Sequence, residues 1–407
     1  MESLTRVRHA PLVVLFGTLS AFAFYSTWGM SVLDGTMSRM LELRGMETPL
    51  IPGTDVPLRL HFTGIAPIDN WYTIMVLFFW QAVDGSHPAT SLAGVYFLGQ
   101  LVAIWTLVYV EGAKVENKKN CLGRTLPWIL LMHNLTLGCF GPIYFAVHLL
   151  SLKSPDSSRP AATKKGKAPV PSASAHVLAA AARYLRFLPF SIVLGFVVPS
   201  IWIGLPPPRL ATYASQQAAI AIWTPFPVWV GLSQLLLTRY LPKLSGCEGE
   251  AASATPGTGS ISPARSQATY LGALRWVYLF CLVGSALVHV GVVTTSLSTQ
   301  LFPAIFTPAI RSEFAPMNLL FPRNAEVASS IGAGVLNFMQ WDQWIGYSSV
   351  LIWALKLAQE DRLAPLTWTR LGLYGLGLAS IVALLGPAAA AVLLLWGGDE
   401  RRYAVEP

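Results

Sequence analysis

Long apolar runs without charge dominate this sequence and limit what the chain can fold into. The run PLVVLFGTLSAFAFYSTWGMSVL, at residues 11–33, holds no Asp, Glu, Lys or Arg, and several later runs are as long. A stretch of about 20 apolar residues spans the hydrocarbon core of a bilayer as an α-helix. Of all residues, 53% are hydrophobic and 12% are charged, whereas soluble domains carry about 25% charged residues. The sequence therefore predicts an all-α, polytopic integral membrane helical bundle.

The apolar runs predict eight or nine transmembrane helices, which form a single domain over residues 1–407. Two of these spans, 70–86 and 343–359, are shorter than the rest. At 1.5 Å per residue, the first of them covers about 25 Å, close to the minimum for crossing a bilayer. The predicted spans are 11–33, 70–86, 93–112, 126–150, 187–205, 217–239, 270–296, 343–359 and 371–396.

Two connections between the spans have low-complexity composition. Residues 153–175 and 245–268 are rich in Ser, Pro, Ala and Gly, and such segments cannot bury a hydrophobic core. The first loop carries a cluster of Lys and Arg side chains, and basic loops remain in the cytosol. We therefore expect both loops to lie on the cytosolic side, because two spans separate them.

Several common functions lack the residues that they need. The net charge of +8 arises from Lys and Arg in loops and near helix ends, where they contact lipid headgroups rather than nucleic acid. No GxxxxGK[ST] loop for nucleotide phosphates is present. Neither DDxxD nor DxxxD occurs, and metal-dependent diphosphate chemistry needs such aspartates. His133, His148 and His289 are too few for the two ligand pairs of a di-haem cytochrome. We predict no metal site and no cofactor.

Acidic side chains at the ends of the predicted spans indicate acid catalysis without a metal. If 70–86 and 93–112 form a hairpin, Asp69 and Glu111 share one membrane face. Asp342, in NFMQWDQWIGY, enters the eighth span at the same face. A carboxylic acid kept protonated in apolar surroundings can protonate an epoxide or an alkene. We therefore predict Glu111, Asp69 and Asp342 as catalytic residues that line one chamber.

Aromatic and amide side chains near these acids are candidates for substrate binding. Aromatic faces stabilise a carbocation through the quadrupole of the ring. Other roles remain open, because an N-cap would explain Asp69, a polar helix end would explain Glu111, and tryptophans are common at membrane interfaces. The predicted substrate-binding residues are Trp71, Tyr72, Trp80, Trp341, Trp344 and Asn117.

The stretch from Gly64 to Asn117 resembles the membrane-bound terpene cyclases of fungal meroterpenoid pathways, of the ascochlorin, ascofuranone and macrophorin type. The resemblance rests on G-x-x-x-x-D at 64–69, on FFWQAVDG, and on a Gln-containing span closed by V-E-G-x-K-x-E-N at 110–117. It implies protonation of the terminal epoxide or olefin of a farnesyl chain on an aromatic or quinone-like head, followed by cyclisation without metal. It also implies a role in secondary metabolism, and we expect the protein in the endoplasmic reticulum membrane.

A multi-pass transporter is the alternative interpretation. Acids within membrane spans can form a proton relay that drives transport. Many transporters are built from paired repeats with broken helices in matching positions, and no such duplication is evident in this sequence. The position of the acids at span ends, rather than deep within spans, also favours the cyclase.

Overall fold

The protein folds as a bundle of α-helices in this computed structural model, which describes residues 2–118, 120–152, 175–244, 263–324, 327–360 and 368–403. Within these ranges the only β-pairing is an isolated bridge between Leu50 and Pro57, so the all-α prediction is confirmed for them. Most of both predicted low-complexity loops, at 153–174 and 245–262, lies outside the described residues. Residues 263–268, predicted as loop, belong to a helix.

The described residues form seventeen α-helices, nine of them in the first half of the chain. The segment between α1 and α2 and the segment between α8 and α9 are single π-helical turns, at Tyr25–Gly29 and Val193–Val197, so the chain continues through them with little change of direction. The helices are α1 (Glu2–Phe24), α2 (Met30–Leu33), α3 (Thr36–Gly45), α4 (Ala66–Val83), α5 (Pro88–Ala113), α6 (Thr125–Asn134), α7 (Leu137–Ser151), α8 (Ala175–Ile192) and α9 (Val198–Ile203).

The second half contributes eight more helices, of which α12 and α15 are the longest. They are α10 (Tyr213–Trp223), α11 (Phe226–Leu244), α12 (Pro263–Leu301), α13 (Pro308–Glu313), α14 (Pro316–Leu320), α15 (Ile331–Glu360), α16 (Trp368–Leu385) and α17 (Pro387–Tyr403). Helix α5 lies inside the bundle, with every residue from Ala103 to Gly112 buried. It packs against α12 and α15, and α15 in turn packs against α7 and α17.

Four helical stretches are long and apolar enough to cross a membrane: His9–Leu33, Pro88–Ala113, Ala175–Ile203 and Ala264–Leu301. Helices α10 and α11, which meet at an angle of 69°, make a fifth if they form one bent span. The described residues thus support four or five spans by length and composition, and the prediction of eight or nine is not confirmed. Apolar helices of this length are compatible with a membrane protein.

Helix breaks and buried polar residues explain the smaller number. The predicted span 126–150 is divided at Leu135–Thr136, between α6 and α7, and the predicted span 371–396 is divided at Gly386, where φ is +94°. The predicted span 343–359 lies within α15, whose buried residues include Asn337, Gln340, Asp342 and Gln343. Polar side chains of this kind are buried against protein rather than against lipid.

The crossing between the π-turn after α8 and helix α11 depends on Gly195. A Cβ atom at this position would lie 2.4 Å from the Val230 backbone nitrogen and 2.6 Å from its Cα. Backbone atoms cannot move aside as a flexible side chain can, so we expect Gly195→Ala to lower the free energy of unfolding by about 1–3 kcal/mol. Thermal unfolding in detergent measures this change.

Gly231, on the same helix α11, is the matched control because a Cβ atom there has no neighbour within 4 Å. Gly231→Ala should melt at the wild-type temperature or above it, since Ala favours helix more than Gly does. Equal melting temperatures for Gly195→Ala and the wild type would contradict the close crossing.

Candidate active site

A cavity of about 770 Å³ lies between helices α3, α4, α5, α6 and α15. Most of its wall is aromatic or methionine side chain, and we call it the aromatic cavity. The aromatic residues in the wall are Trp28, Phe78, Phe79, Phe97, Trp105, Trp223 and Phe338.

The rings in this wall hold one another by edge-to-face contacts. Phe338 meets Phe78 with ring centroids 5.1 Å apart and meets Trp28 at 5.2 Å. Phe79 meets Trp223 at 4.7 Å. In this geometry the positive edge of one ring lies on the negative face of another, which fixes their orientation. The cavity is therefore a rigid, electron-rich chamber.

Asp342 is the one carboxyl group that lines the aromatic cavity among the described residues. Its side chain is buried and accepts a hydrogen bond from the backbone N–H of Gly138, in the first turn of α7. The approach to Gly138 is close, because a Cβ atom at this position would lie 3.0 Å from Asp342 Oδ1. Burial in apolar surroundings favours the uncharged, proton-bearing form of a carboxyl group. Once the proton has left, the N–H group and the α7 N-terminus stabilise the carboxylate.

Thr136, which caps α7 beside Asp342, has a strained backbone. Its φ of 77° and ψ of 146° are unusual for a residue with a branched side chain. The Thr136 hydroxyl accepts a hydrogen bond from the Cys139 N–H at 3.2 Å, and this cap offsets part of the strain. Thr136 also lines the cavity, so the break between α6 and α7 shapes the wall near the acid.

Asp69 lies outside the aromatic cavity and holds a loop. Its carboxylate accepts hydrogen bonds from the backbone N–H groups of Phe62, Thr63 and Gly64, at 3.1, 2.7 and 3.1 Å, and from the Thr63 hydroxyl at 2.8 Å. Burial raises the pKa of Asp69, and these hydrogen bonds more than offset it, so that the pKa falls to about 2. Asp69 is therefore an anion at neutral pH that ties residues 62–64 to the start of α4.

Glu111 also lies outside the aromatic cavity, in a buried ionic cluster. Lys114 Nζ lies 2.7 Å from Glu111 Oε1 and 3.1 Å from Asp399 Oδ1. The Tyr278 hydroxyl donates to Asp399 at 2.6 Å, and the Asn117 amide donates to the Glu111 carbonyl at 2.9 Å. The cluster joins the C-terminal ends of α5 and α17 to α12. The cluster therefore pairs the buried Glu111 carboxyl group with a buried ammonium group.

The three predicted acids do not meet in one chamber. Helices α7 and α15 run side by side, with Gly138 against Asp342 at one level and His148 bonded to Trp353 further along. From Asp342 to Trp353 is roughly 16 Å of helix at 1.5 Å per residue, and His148 lies 3.7 Å from Glu111. Of the three predicted acids only Asp342 lines the aromatic cavity, and catalytic roles for Glu111 and Asp69 stay predictions.

None of the six predicted substrate-binding residues lines the aromatic cavity. Trp71 lies behind the wall, where it packs on Trp28 with centroids 6.4 Å apart and donates to Asn134. Trp344 is 44% exposed and donates to the Leu320 carbonyl. Tyr72 packs on Phe62, and Trp80 donates to the Pro52 carbonyl. Trp341 donates to Asn324, and Asn117 donates to the Glu111 carbonyl.

Residues that the sequence analysis did not select complete the cavity. Phe78 and Phe79 lie about two helical turns along α4 from the predicted Trp71. Trp223 and His133 come from α10 and α6, and no local motif marks them. No cluster of three or more His, Cys, Asp or Glu residues that could bind a metal ion occurs in the described part of the chain.

Asp69→Asn should lower stability without a selective effect on chemistry. An amide has one acceptor oxygen and no charge, so it cannot hold three N–H groups as a carboxylate does. Because the folded-state pKa is lowered to about 2, the stabilisation is complete above the ordinary Asp pKa and is lost as the pH falls towards that value. Thermal unfolding from neutral to acidic pH measures this.

Asp84→Asn is the control for Asp69→Asn, since the Asp84 carboxylate accepts only the Ser86 N–H, at 3.0 Å. It should melt close to the wild-type temperature at every pH. An Asp69→Asn protein that keeps its melting temperature and loses turnover would instead assign Asp69 to the reaction.

Comparison with known proteins finds similar chains over nearly the whole sequence. The CtvD domain family matches residues 12–401. The chain is 28% identical to terpene cyclase ctvD of Aspergillus terreus, over 93% of this chain and 96% of that protein. It is 25% identical to terpene cyclase penA of Penicillium crustosum, over 95% of this chain and 94% of that protein.

A further relative is terpene cyclase ascI of Acremonium egyptiacum, which is 25% identical over 93% of this chain and 90% of that protein. No solved structure matches the chain significantly. The resemblance to fungal terpene cyclases that residues 64–117 indicated is confirmed, and it extends over nearly the whole chain. The chain belongs to the CtvD domain family.

Proposed function

We propose that this protein is a membrane-bound terpene cyclase that protonates the terminal epoxide or olefin of a farnesyl chain and cyclises it without metal. The substrate is a prenylated aromatic or quinone-like molecule of fungal meroterpenoid biosynthesis. The observation that carries the proposal is a buried carboxyl group, Asp342, in the wall of an aromatic cavity. The names of the relatives favour a cyclase over the transporter alternative.

The reaction begins with a proton transfer from Asp342. The carboxyl group gives its proton to the epoxide oxygen, the bond from that oxygen to the more substituted carbon breaks, and a carbocation forms on this carbon. With an olefin, the proton adds to the terminal double bond instead. Successive double bonds of the chain attack the cationic centre and close the rings. Loss of a proton from the last cation ends the sequence, so the product is an isomer of the substrate.

The aromatic wall supports the cation during ring closure. Trp28, Trp105 and Trp223 line the cavity, and a cation within about 6 Å of the face of an aromatic ring is stabilised. The apolar wall also excludes water that would otherwise capture the cation before the rings close. The positive charge moves along the chain as the rings close. Several aromatic side chains therefore stabilise it better than one fixed binding group would.

Membrane location follows from the same proposal. A farnesylated arene partitions into the bilayer, and the four or five apolar stretches of the chain suit a protein embedded there. We propose the endoplasmic reticulum as its membrane. Co-fractionation with a marker of the endoplasmic reticulum tests the identity of the membrane. Resistance of the protein to carbonate extraction tests its integration into that membrane.

Chelation of metal should leave turnover unchanged, because the proton of Asp342, and not a metal ion, ionises the substrate. The assay is conversion of an epoxyfarnesyl phenol in microsomes treated with EDTA, with and without added Mg²⁺. A strict requirement for Mg²⁺ would contradict proton-initiated cyclisation.

Asp342→Asn tests the proton donor directly. Asparagine keeps the oxygen that accepts the Gly138 N–H, so the α7 N-terminus stays capped, but the transferable proton is gone. Positioned acid catalysis is worth about 10²–10⁴-fold, and we expect turnover to fall at least that far while the melting temperature stays near wild type. The readout is an isomer of unchanged mass formed from the epoxyfarnesyl phenol.

Glu111→Gln is the matched control, since Glu111 is equally buried but belongs to the ionic cluster with Lys114. Turnover per folded molecule should remain near wild type in this variant. If Glu111→Gln abolishes turnover in folded protein while Asp342→Asn does not, the proton donor is Glu111, as the sequence had indicated.

A further inference from the structure

A second cavity, of about 630 Å³, adjoins the aromatic cavity. It lies between α4, α5 and α9, and Gly94 and Gly204 leave room in its wall. Phe79, Phe97 and Met339 line both cavities. These three side chains therefore form the boundary between the two spaces, and the thioether of a methionine adapts its shape easily.

Two hydroxyl groups line the second cavity and are available to a ligand. Ser91 Oγ is buried and has no hydrogen-bond partner. Ser200 Oγ accepts from Trp223 Nε1 at 2.9 Å, and the hydrogen of that hydroxyl is left to donate. A buried polar group without a partner is destabilising. A ligand oxygen in the second cavity would satisfy both hydroxyls.

We propose that the second cavity binds the oxygen-bearing aromatic head of the substrate, an inference that rests on the proposed function. Ser91 and Ser200 hydrogen-bond a phenol or carbonyl oxygen of the head. The farnesyl chain passes between Phe79, Phe97 and Met339 into the aromatic cavity. This orientation brings the far end of the chain, where the epoxide or olefin lies, to Asp342.

The Ser91→Ala/Ser200→Ala double variant tests the subsite with two pairs of probes. Binding is measured by tryptophan fluorescence with farnesyl phenol and with farnesyl benzene. Farnesyl benzene lacks the phenol oxygen, and neither compound carries an epoxide. Turnover is measured with the corresponding epoxides. Loss of these hydrogen bonds should raise Kd and KM about tenfold for the phenols and leave those of the benzenes unchanged, with kcat near wild type.

Ser380→Ala is the control variant, because Ser380 is exposed and bonds only within its own helix, to the Leu376 carbonyl at 2.9 Å. It should match the wild type with every probe. Unchanged Kd for farnesyl phenol in the double variant, or an equal rise for phenol and benzene, would overturn the subsite. Selective binding of the phenol without turnover of either epoxide would support the subsite and refute the cyclase.

A separate observation concerns His133. Its ring lines the aromatic cavity together with Asp342, and its Nε2 atom is buried without a hydrogen-bond partner. The ring is held edge-on against Trp223 and Phe226, with centroids 4.7 Å apart in both pairs. The unshared pair of an imidazole nitrogen is a base, and this one is aligned by aromatic contacts on two sides.

We infer that His133 Nε2 takes the proton that the cyclised cation loses. A C–H bond next to the cationic carbon breaks, its electron pair forms the new C=C bond, and the proton binds Nε2. The imidazolium then returns a proton to the Asp342 carboxylate, so that both groups regain their starting forms. The balance is that of an isomerisation, and the position of the base determines which alkene forms.

His133→Gln and His133→Phe should change the product mixture, and they should also slow substrate consumption because the imidazolium no longer returns a proton to the Asp342 carboxylate. Without the base, alkenes of different position and a hydrated product should appear in gas chromatography with mass detection. The control is His289→Gln, since His289 bonds to Tyr96 and the Ala383 carbonyl away from this cavity. An unchanged product mixture in both His133 variants would overturn this role, whereas absence of any conversion by the wild type would refute the cyclase itself.

Discussion

The hydrogen bond from the Gly138 N–H to Asp342 is the contact on which the site depends. It joins α15 to the first turn of α7, at the point where α6 ends and Thr136 turns the chain. That break leaves room for the aromatic cavity, and the same contact holds the acid in its wall. In the proposed reaction, the Gly138 N–H also stabilises the carboxylate that remains after proton transfer. An amide N–H at a helix N-terminus favours negative charge.

Two of the buried acids of the bundle, Glu111 and Asp342, differ in their neighbours. Glu111 has Lys114 beside it, and the pair extends to Asp399. Removing one partner of such a buried group costs about 3–5 kcal/mol because an uncompensated charge remains, so the cluster suits a structural joint between helix ends. Asp342 has no basic partner among the described residues, and its aromatic surroundings favour the neutral acid. Two carboxyl groups in one protein can take different roles because their environments differ.

The apolar runs were sufficient to predict an all-helical chain, but not to count its spans. Hydropathy does not distinguish a helix buried in protein from one that faces lipid, and α15, with Asn337 and Gln343 buried along it, belongs to the first kind. The sequence predicted Asp342 as a catalytic acid, and Asp342 lines the cavity. Its neighbours Trp341 and Trp344 do not line it, because successive helical positions diverge by about 100°. Asp399 and His133 contact residues that are far from them in the sequence. No local pattern could have paired them with Glu111 or Asp342.

Infrared difference spectroscopy at neutral pH tests the central claim most directly, because it detects the C=O stretch of a protonated carboxyl group. The band should be present in the wild type and in Glu111→Gln, and absent from Asp342→Asn. Its shift on addition of an unreactive farnesyl phenol would place the group beside the substrate. A band that persists in Asp342→Asn and disappears in Glu111→Gln would contradict Asp342 as the proton donor.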